Sequence, residues 1–287
     1  WFDNDAYIEK HNAKHANYTL KHNAFSHYSI DDFHDLKQIG ASRAFERLKV
    51  VHNESTHYDM LDKRSRDLWE VDAESIDWVV KGAVTDVKDQ GSCGSCWAFS
   101  TTGLLEGAYF LKYGKLLIFS EQEFVSCDTT DNGCGGGSMR SALEWLKTQG
   151  TLCEESEYPY TGKDDSCRTD CEPVERVFSS LKVKTVAPYE FALERALVTQ
   201  PISIGIDAES RDFQFYNDGV FTGECGNAID HGVLAVGYGT LSGVSYWRVK
   251  NSWGRDWGNG GYILIEKNSA ASGGKCGIAM EAQGVEL

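Results

Sequence analysis

The stretch Gln90-Gly91-Ser92-Cys93-Gly94-Ser95-Cys96-Trp97-Ala98-Phe99-Ser100 decides how the rest of the chain is read. Two cysteines sit in a glycine- and serine-rich turn, and behind them opens an apolar helical pattern with Trp97, Phe99, Leu104, Leu105 and Tyr109. Cys96 therefore stands at or near a helix N-terminus. Unpaired backbone N–H groups and the positive end of the helix dipole favour an anion there, and the anion a cysteine offers is the nucleophilic thiolate.

A thiolate nucleophile works with a base, and the histidine distribution leaves one choice. Of the eight histidines, His11, His15, His22, His27, His34, His52 and His57 all precede residue 58. An imidazole acting with Cys96 from the same domain can only be His231. The cysteine count is compatible: nine is odd, the spacing is not that of a zinc ribbon, and eight bonded cysteines plus one free thiol suit an oxidising compartment. Spacing alone does not choose among the roughly one hundred pairings that eight cysteines allow.

Composition bounds the rest. A chain of 287 residues can form one large domain or two with a sizeable core. A net charge of −15 argues against nucleic acid or an anionic membrane as partner. No apolar run approaches the roughly 20 residues of a membrane span.

Cys93-Gly94-Ser95-Cys96-Trp97, Asp230-His231-Gly232 and Lys250-Asn251-Ser252-Trp253-Gly254 together resemble the papain and cathepsin family of cysteine proteases, cathepsin L-like members in particular. His231 and Asn251 follow Cys96 by about 135 and 155 residues, close to the family's spacing of about 130 to 150. The resemblance implies an α+β fold: a mature peptidase over residues 72–287, with a mainly helical half at 72–182 and a mainly β-barrel half at 183–287. Cys96 and His231 would meet across the cleft between the halves. It implies peptide-bond hydrolysis by a Cys96 thiolate and a His231 imidazolium, with Asn251 orienting the ring and Trp253 shielding that contact. Gln90 and the Cys96 backbone N–H would stabilise the oxyanion.

The same resemblance pairs Cys93 with Cys134, Cys127 with Cys167 and Cys225 with Cys276. Cys153 and Cys171 remain and are paired with each other, leaving Cys96 free. It places substrate along Gly94, Gly136, Gly137, Asp230 and Trp253, and builds a selectivity pocket from Ser138, Met139, Gly205, Ile229, Gly232 and Glu281. Met139 and Ile229 would suit Leu, Val or Phe as the second residue before the scissile bond, and Glu281 would admit Arg. No cofactor and no metal is implied. Expected partners are peptide and protein substrates, the chain's own prodomain and cystatin-type inhibitors. The protein would be a monomer in the lysosome, the vacuole or the extracellular space. An open-cleft endopeptidase is expected, since no large insertion lies between Cys96 and His231.

Residues 1–71 read as a separable segment without cysteine or proline. Trp1-x2-Asn4-x3-Ile8-x3-Asn12 resembles the second half of the helical motif of the family's inhibitory propeptides, so the sequence is expected to begin inside the prodomain. Tyr18 to Phe25 alternates like a strand, and Asn23-Ala24-Phe25 matches the core of a second propeptide motif, with Lys21 and His27 departing from its outer positions. Ser29-Ile30-Asp31-Asp32 reads as a helix cap. Residues Gln38 to Ala44 are expected to cross the cleft in reverse, and the mature enzyme to begin near Glu70 to Ala73. Asn17 and Asn53 head N-glycosylation sequons. Activation is expected at acid pH, through His22 or His27 held neutral by desolvation, with carboxylate protonation as the alternative. Two other classes stay open: a catalytically silent homologue and an acyltransferase using the same residues.

Overall fold

The computed structural model describes residues 2–14, 17–39, 74–174 and 177–287; Trp1, the passage from Gly40 to Ala73 and the Asn53 sequon lie outside them. In chain order the elements are α1 (Phe2–Asn12), β1 (Tyr18–Leu20), α2 (Ile30–Lys37), β2 (Ile76–Asp77), α3 (Cys96–Tyr113), α4 (Glu121–Cys127), α5 (Met139–Gln149), β3 (Leu152–Cys153) and β4 (Pro173–Val174). There follow β5 (Lys182–Thr185), α6 (Glu190–Thr199), β6 (Ile202–Ile206), α7 (Arg211–Phe215), β7 (Tyr216–Phe221), β8 (His231–Leu241), β9 (Val244–Lys250), β10 (Tyr262–Glu266) and β11 (Glu281–Glu286). No helix among the described residues is long and apolar enough to cross a membrane.

Helix α3 is the axis of the molecule. Its residues from Cys96 to Ala108 are buried all round, polar Ser100, Thr101, Thr102 and Glu106 included. It stops where Gly114 turns left-handed (φ 70°) and returns its N–H to Phe110. On one side lie α4 and α5, each started by a serine whose hydroxyl accepts a backbone N–H: Ser120 from Glu123 and Ser138 from Ser141. Trp97, Phe124 and Trp145 fill that side, the first two edge to face and Trp145 tilted against Phe124.

On the other side stands a sheet ordered β1-β7-β10-β9-β8-β6-β11-β5, with β2 on β8. The barrel half is thus an open path among the described residues, with no closing ladder between its ends. The β7–β10 pair is parallel and the remaining pairs are antiparallel. Ser100 ties α3 to this sheet: its hydroxyl lies 2.6 Å from the Val233 carbonyl and 2.6 Å from Ser203 Oγ. The disulfides are Cys93–Cys134, Cys127–Cys167, Cys153–Cys171 and Cys225–Cys276, and Cys96 is free.

The N-terminal segment joins the sheet directly. Strand β1 pairs antiparallel with β7, Tyr18 opposite Gly219 and Thr19 opposite Asp218, so the segment adds an edge strand. The strand expected from Tyr18 to Phe25 ends at Leu20. Asn23 ends it by local competition, since its Oδ1 accepts the Phe25 N–H at 2.9 Å and its carbonyl accepts the Ser26 N–H at 3.1 Å. Helix α2 begins as its cap predicts, with Ser29 accepting the Asp32 N–H.

Candidate active site

Cys96 is the first residue of α3, and the Gly232 N–H points at its sulfur from 3.4 Å. Because Gly232 follows His231 on β8, this contact joins the two halves at the site. The His231 ring is buried, stacked on Trp253 at 4.7 Å, with Nε2 2.8 Å from Asn251 Oδ1. The Ser252 N–H also donates to Asn251 Oδ1 at 2.8 Å, which makes that atom the acceptor oxygen. His231 Nε2 must then carry the proton, and in the neutral ring Nδ1 holds the lone pair a base requires.

Gln90 is fully buried and held at both ends. Its backbone N–H reaches the Ser252 carbonyl at 2.9 Å, and its Oε1 accepts from Ser252 Oγ at 2.6 Å. Its Nε2 donates to the Cys93 carbonyl at 3.0 Å, which uses one of two amide protons.

The electrostatics depart from a resting thiolate. Burial pushes the Cys96 thiol up to about 11, a shift that the Gly232 N–H opposes and the Asp230 carboxyl reinforces. Burial also lowers His231 to about 4; the Asn251 hydrogen bond pulls it back, and the Lys37 cation lowers it further. Both groups are neutral in this covered state. A helix N-terminus stabilises an anion by roughly 0.3 to 2 kcal/mol, less than a buried unpaired charge costs.

The cover is the N-terminal segment. Phe25 and Phe33 present their rings edge-on to Trp253 at 6.1 and 5.2 Å. Lys37 is buried, with Nζ 3.1 Å from the Gly91 carbonyl, 3.4 Å from Asp89 and 4.8 Å above the Phe25 ring. Gln38 rests on Gly94: a Cβ there would come within 2.7 Å of Gln38 Oε1. Of the passage expected to cross the cleft, Gln38 is thus against the site, and Gly40 to Ala44 lie outside the described residues.

The expected pocket residues share one wall. Glu281 on β11 sits opposite Gly205 on β6, and Gly205 opposite Gly232 on β8. A Cβ at Gly205 would fall 2.5 Å from Ile229 Cγ2 and 3.5 Å from Glu281 Oε2; one at Gly232 would fall 3.1 Å from Met139 Sδ. Gly205 and Gly232 thus bring Ile229, Met139 and Glu281 to one wall, with no side chain of their own between them. Gly137 has a different duty from its neighbour Gly136: a Cβ there would strike the Trp97 ring at 2.6 Å, so packing fixes it. Ser138 caps α5. Asp230 accepts the Ala208 N–H at 2.9 Å, and burial, opposed by that bond and reinforced by Asp207 and Glu209, raises it to about 8. Asn17 is exposed at the start of β1.

Sequence reasoning missed Ser252, Ser95 and Tyr160. Ser252 lies inside the Asn251 motif and was within reach; Tyr160 acts from 70 residues beyond Gln90, and no local pattern announces it.

Residues 73–285 match the family model described as papain family cysteine protease. The chain is 43% identical over 289 residues to cysteine proteinase RD21A of Arabidopsis thaliana, covering 97% of this chain and 58% of that protein's length. It is also 43% identical over 282 residues to the KDEL-tailed cysteine endopeptidase CEP2 of the same plant, covering 97% of this chain and 76% of that one. Among solved structures, the proform of the ragweed pollen cysteine protease Amb a 11 superposes with a TM-score of 0.86 at 34% identity, covering 99% of this chain and 86% of that one. Digestive procathepsin L 3 from Tenebrio molitor larval midgut gives 0.81, also at 34%, with 99% and 89% covered. The family match over residues 73–285 and the superposition on these two proforms show that the chain belongs to the papain family of cysteine proteases.

Proposed function

We propose that the chain is the zymogen of a cysteine endopeptidase, residues 1–71 being its inhibitory prodomain and 72–287 its peptidase. The observation that carries this reading is the set Cys96–Gly232–His231–Asn251, a free thiol joined through one N–H to a histidine whose tautomer is fixed for base work. Once the cover leaves, Cys96 Sγ–H gives its proton to His231 Nδ1, and the sulfur attacks the peptide carbonyl carbon. The carbonyl π electrons move onto oxygen, which the Cys96 N–H and a Gln90 Nε2 proton stabilise, a contact worth roughly 3 to 4 kcal/mol. The tetrahedral centre collapses, and the leaving amine takes the proton from Nδ1. Water, giving a proton to the same nitrogen, then splits the thioester and frees the acid.

Peptides would enter along Gly94, Gly136 and Asp230 beside Trp253, with the second residue before the scissile bond against the wall at Gly205 and Gly232. Met139 and Ile229 suit an apolar side chain there, and Glu281 an Arg. Relatives named endopeptidases support cleavage of internal bonds. Four disulfides and a KDEL-tailed relative support passage through the secretory pathway, with glycans at Asn17 and Asn53. The vacated cleft would take cystatin-type inhibitors, and the enzyme would act as a monomer.

Activation at acid pH belongs to this reading, by release of the contacts that hold the N-terminal segment on the peptidase. His27 is exposed, and His22 is one-third exposed with Nε2 2.9 Å from Asp5. Lys37 is compensated by Asp89, and Tyr7 and Tyr18 both donate to Asp212.

The test is an internally quenched peptide blocked at both ends. The acid-processed chain should cut it internally, and Cys96→Ala should abolish cutting. Cutting that survives in Cys96→Ala, or acyl transfer without hydrolysis, would overturn the reading.

A further inference from the structure

Tyr160 takes no part in the chemistry described, yet its hydroxyl lies between the two halves of the oxyanion site. It donates to the Gln90 backbone carbonyl at 2.8 Å and stands 2.6 Å from Ser95 Oγ. The polarity of this relay is fixed. A phenol has one proton and a carbonyl can only accept, so the Tyr160 proton goes to Gln90 and Ser95 donates to Tyr160. Burial raises the Tyr160 pKa, which keeps that proton in place.

Ser95 supplies the second observation. It is the N-cap residue of α3, where a serine hydroxyl ordinarily accepts a backbone N–H from the first helical turn. Ser95 makes no such bond, and its fully buried hydroxyl turns to Tyr160 instead. Tyr160 is itself seated firmly, edge-on to Phe99 of α3 at 4.9 Å and with its N–H on Glu155 Oε1 at 2.8 Å. The relay thus joins the residue before Cys96 to the backbone of Gln90.

We propose that Tyr160 is a positioning residue for the oxyanion site: the chain Ser95 to Tyr160 to Gln90 sets the separation between the Cys96 N–H and the Gln90 side-chain amide. The proposal rests on the roles given to Gln90 and Cys96 above. Donors of this kind act only when aimed at the place the oxyanion will occupy, and linked hydroxyls strengthen one another. Losing the relay should therefore lower turnover and leave ground-state binding almost unchanged.

The experiment compares wild type, Tyr160→Phe, Gln90→Ala and the double variant, each made as the full chain, acid-processed and titrated with a thiol-directed epoxide. For Tyr160→Phe, kcat on a dipeptidyl amide should fall about tenfold with KM within about twofold. Affinity for a peptide aldehyde should fall by a similar factor, because addition of Cys96 sulfur to the aldehyde carbon puts the former carbonyl electrons on an oxygen in the same site. Both losses should vanish in the Gln90→Ala background, the mark of action through Gln90. Ser95→Ala should reproduce them and serves by the same criteria if the Phe variant does not fold. Unchanged kcat, a loss carried by KM, or factors that multiply in the double variant would overturn the proposal. A wild type that hydrolyses no peptide would instead remove the reading beneath it.

Discussion

Cys96 and His231 are held neutral by burial in the covered chain, and the sign of that effect can be read directly. A thiol raised to about 11 stays protonated through neutral pH, and an imidazole lowered to about 4 stays uncharged above that value. Alkylation of the unprocessed chain by iodoacetamide should therefore be slow from pH 5 to pH 9 and climb only toward pH 11. After processing, water returns to the pair, and alkylation at pH 6 should rise at least about tenfold. Equal rates before and after processing would show that the cover does not govern the thiol. Glu281 offers a second test at this scale. Its Oε2 faces the space beside Gly205, where the Arg side chain of a substrate would arrive. An Arg–carboxylate contact adds roughly 1.5 to 3 kcal/mol before desolvation is counted. Glu281→Ala should lower the Arg-to-Leu ratio of kcat/KM at this subsite by about tenfold. An unchanged ratio would remove Glu281 from the pocket's selectivity.

Helix α1 and strand β1 dock on the same short element of the peptidase. Tyr7 of α1 donates to Asp212 Oδ1 at 2.5 Å, and Tyr18 of β1 donates to its Oδ2. Arg211 beside it donates to Asn4 and lies 4.2 Å over the Tyr7 ring. One carboxylate thus clasps two elements, and Asp212→Asn keeps only one acceptor for two donors. At roughly 1.5 to 3 kcal/mol for a charge-assisted bond, the prodomain's hold should weaken by about ten- to a hundredfold. Activity should then appear faster, and at higher pH, than in wild type; an unchanged pH of onset would refute the clasp. Legibility at this scale followed the source of order. Helix α3 stood out because its apolar run is local, and α2 because Ser29 caps it. Strand β7 and helix α7 did not, because Tyr216-Asn217-Asp218-Gly219 finds its strand partner only where β1 arrives, and Val220-Phe221 only where β10 does. The N-terminal segment's grip on the site, through Phe25, Phe33 and Lys37, is likewise made by chain that returns from far away.

At the level of the whole molecule, the two halves are joined behind the catalytic helix by buried charge. Lys88 lies 3.0 Å from Glu106 of α3 and 2.5 Å from Glu121 of α4. Glu106 also accepts from Thr85 at 2.6 Å, and Thr85 accepts from Lys250 of β9 at 3.0 Å. Nothing in the local sequence marks these five residues as one group, since they come from four separate stretches. The family's sequence signature marks Cys96, His231 and Asn251 as candidates because such chemistry fixes residue type and spacing, while this support is visible only once folded. Its electrostatics are uneven: burial lowers Lys88, but Glu106 and Glu121 outweigh it and keep the ammonium charged. Burial raises Glu121 toward its neutral form and lowers Lys250 to about 8. Lys88 is thus the cation that lets two carboxyls share the interior. Replacing it with Met keeps much of its volume and leaves both acids without their partner, a change that typically costs about 3 to 5 kcal/mol. Lys88→Met should therefore lower the urea midpoint by an amount equivalent to about 3 kcal/mol or more. Glu106→Gln should recover much of that loss when added to Lys88→Met, because it removes the charge left unpaired. Simple addition of the two single losses would show that the residues act separately and that the halves are held by packing alone.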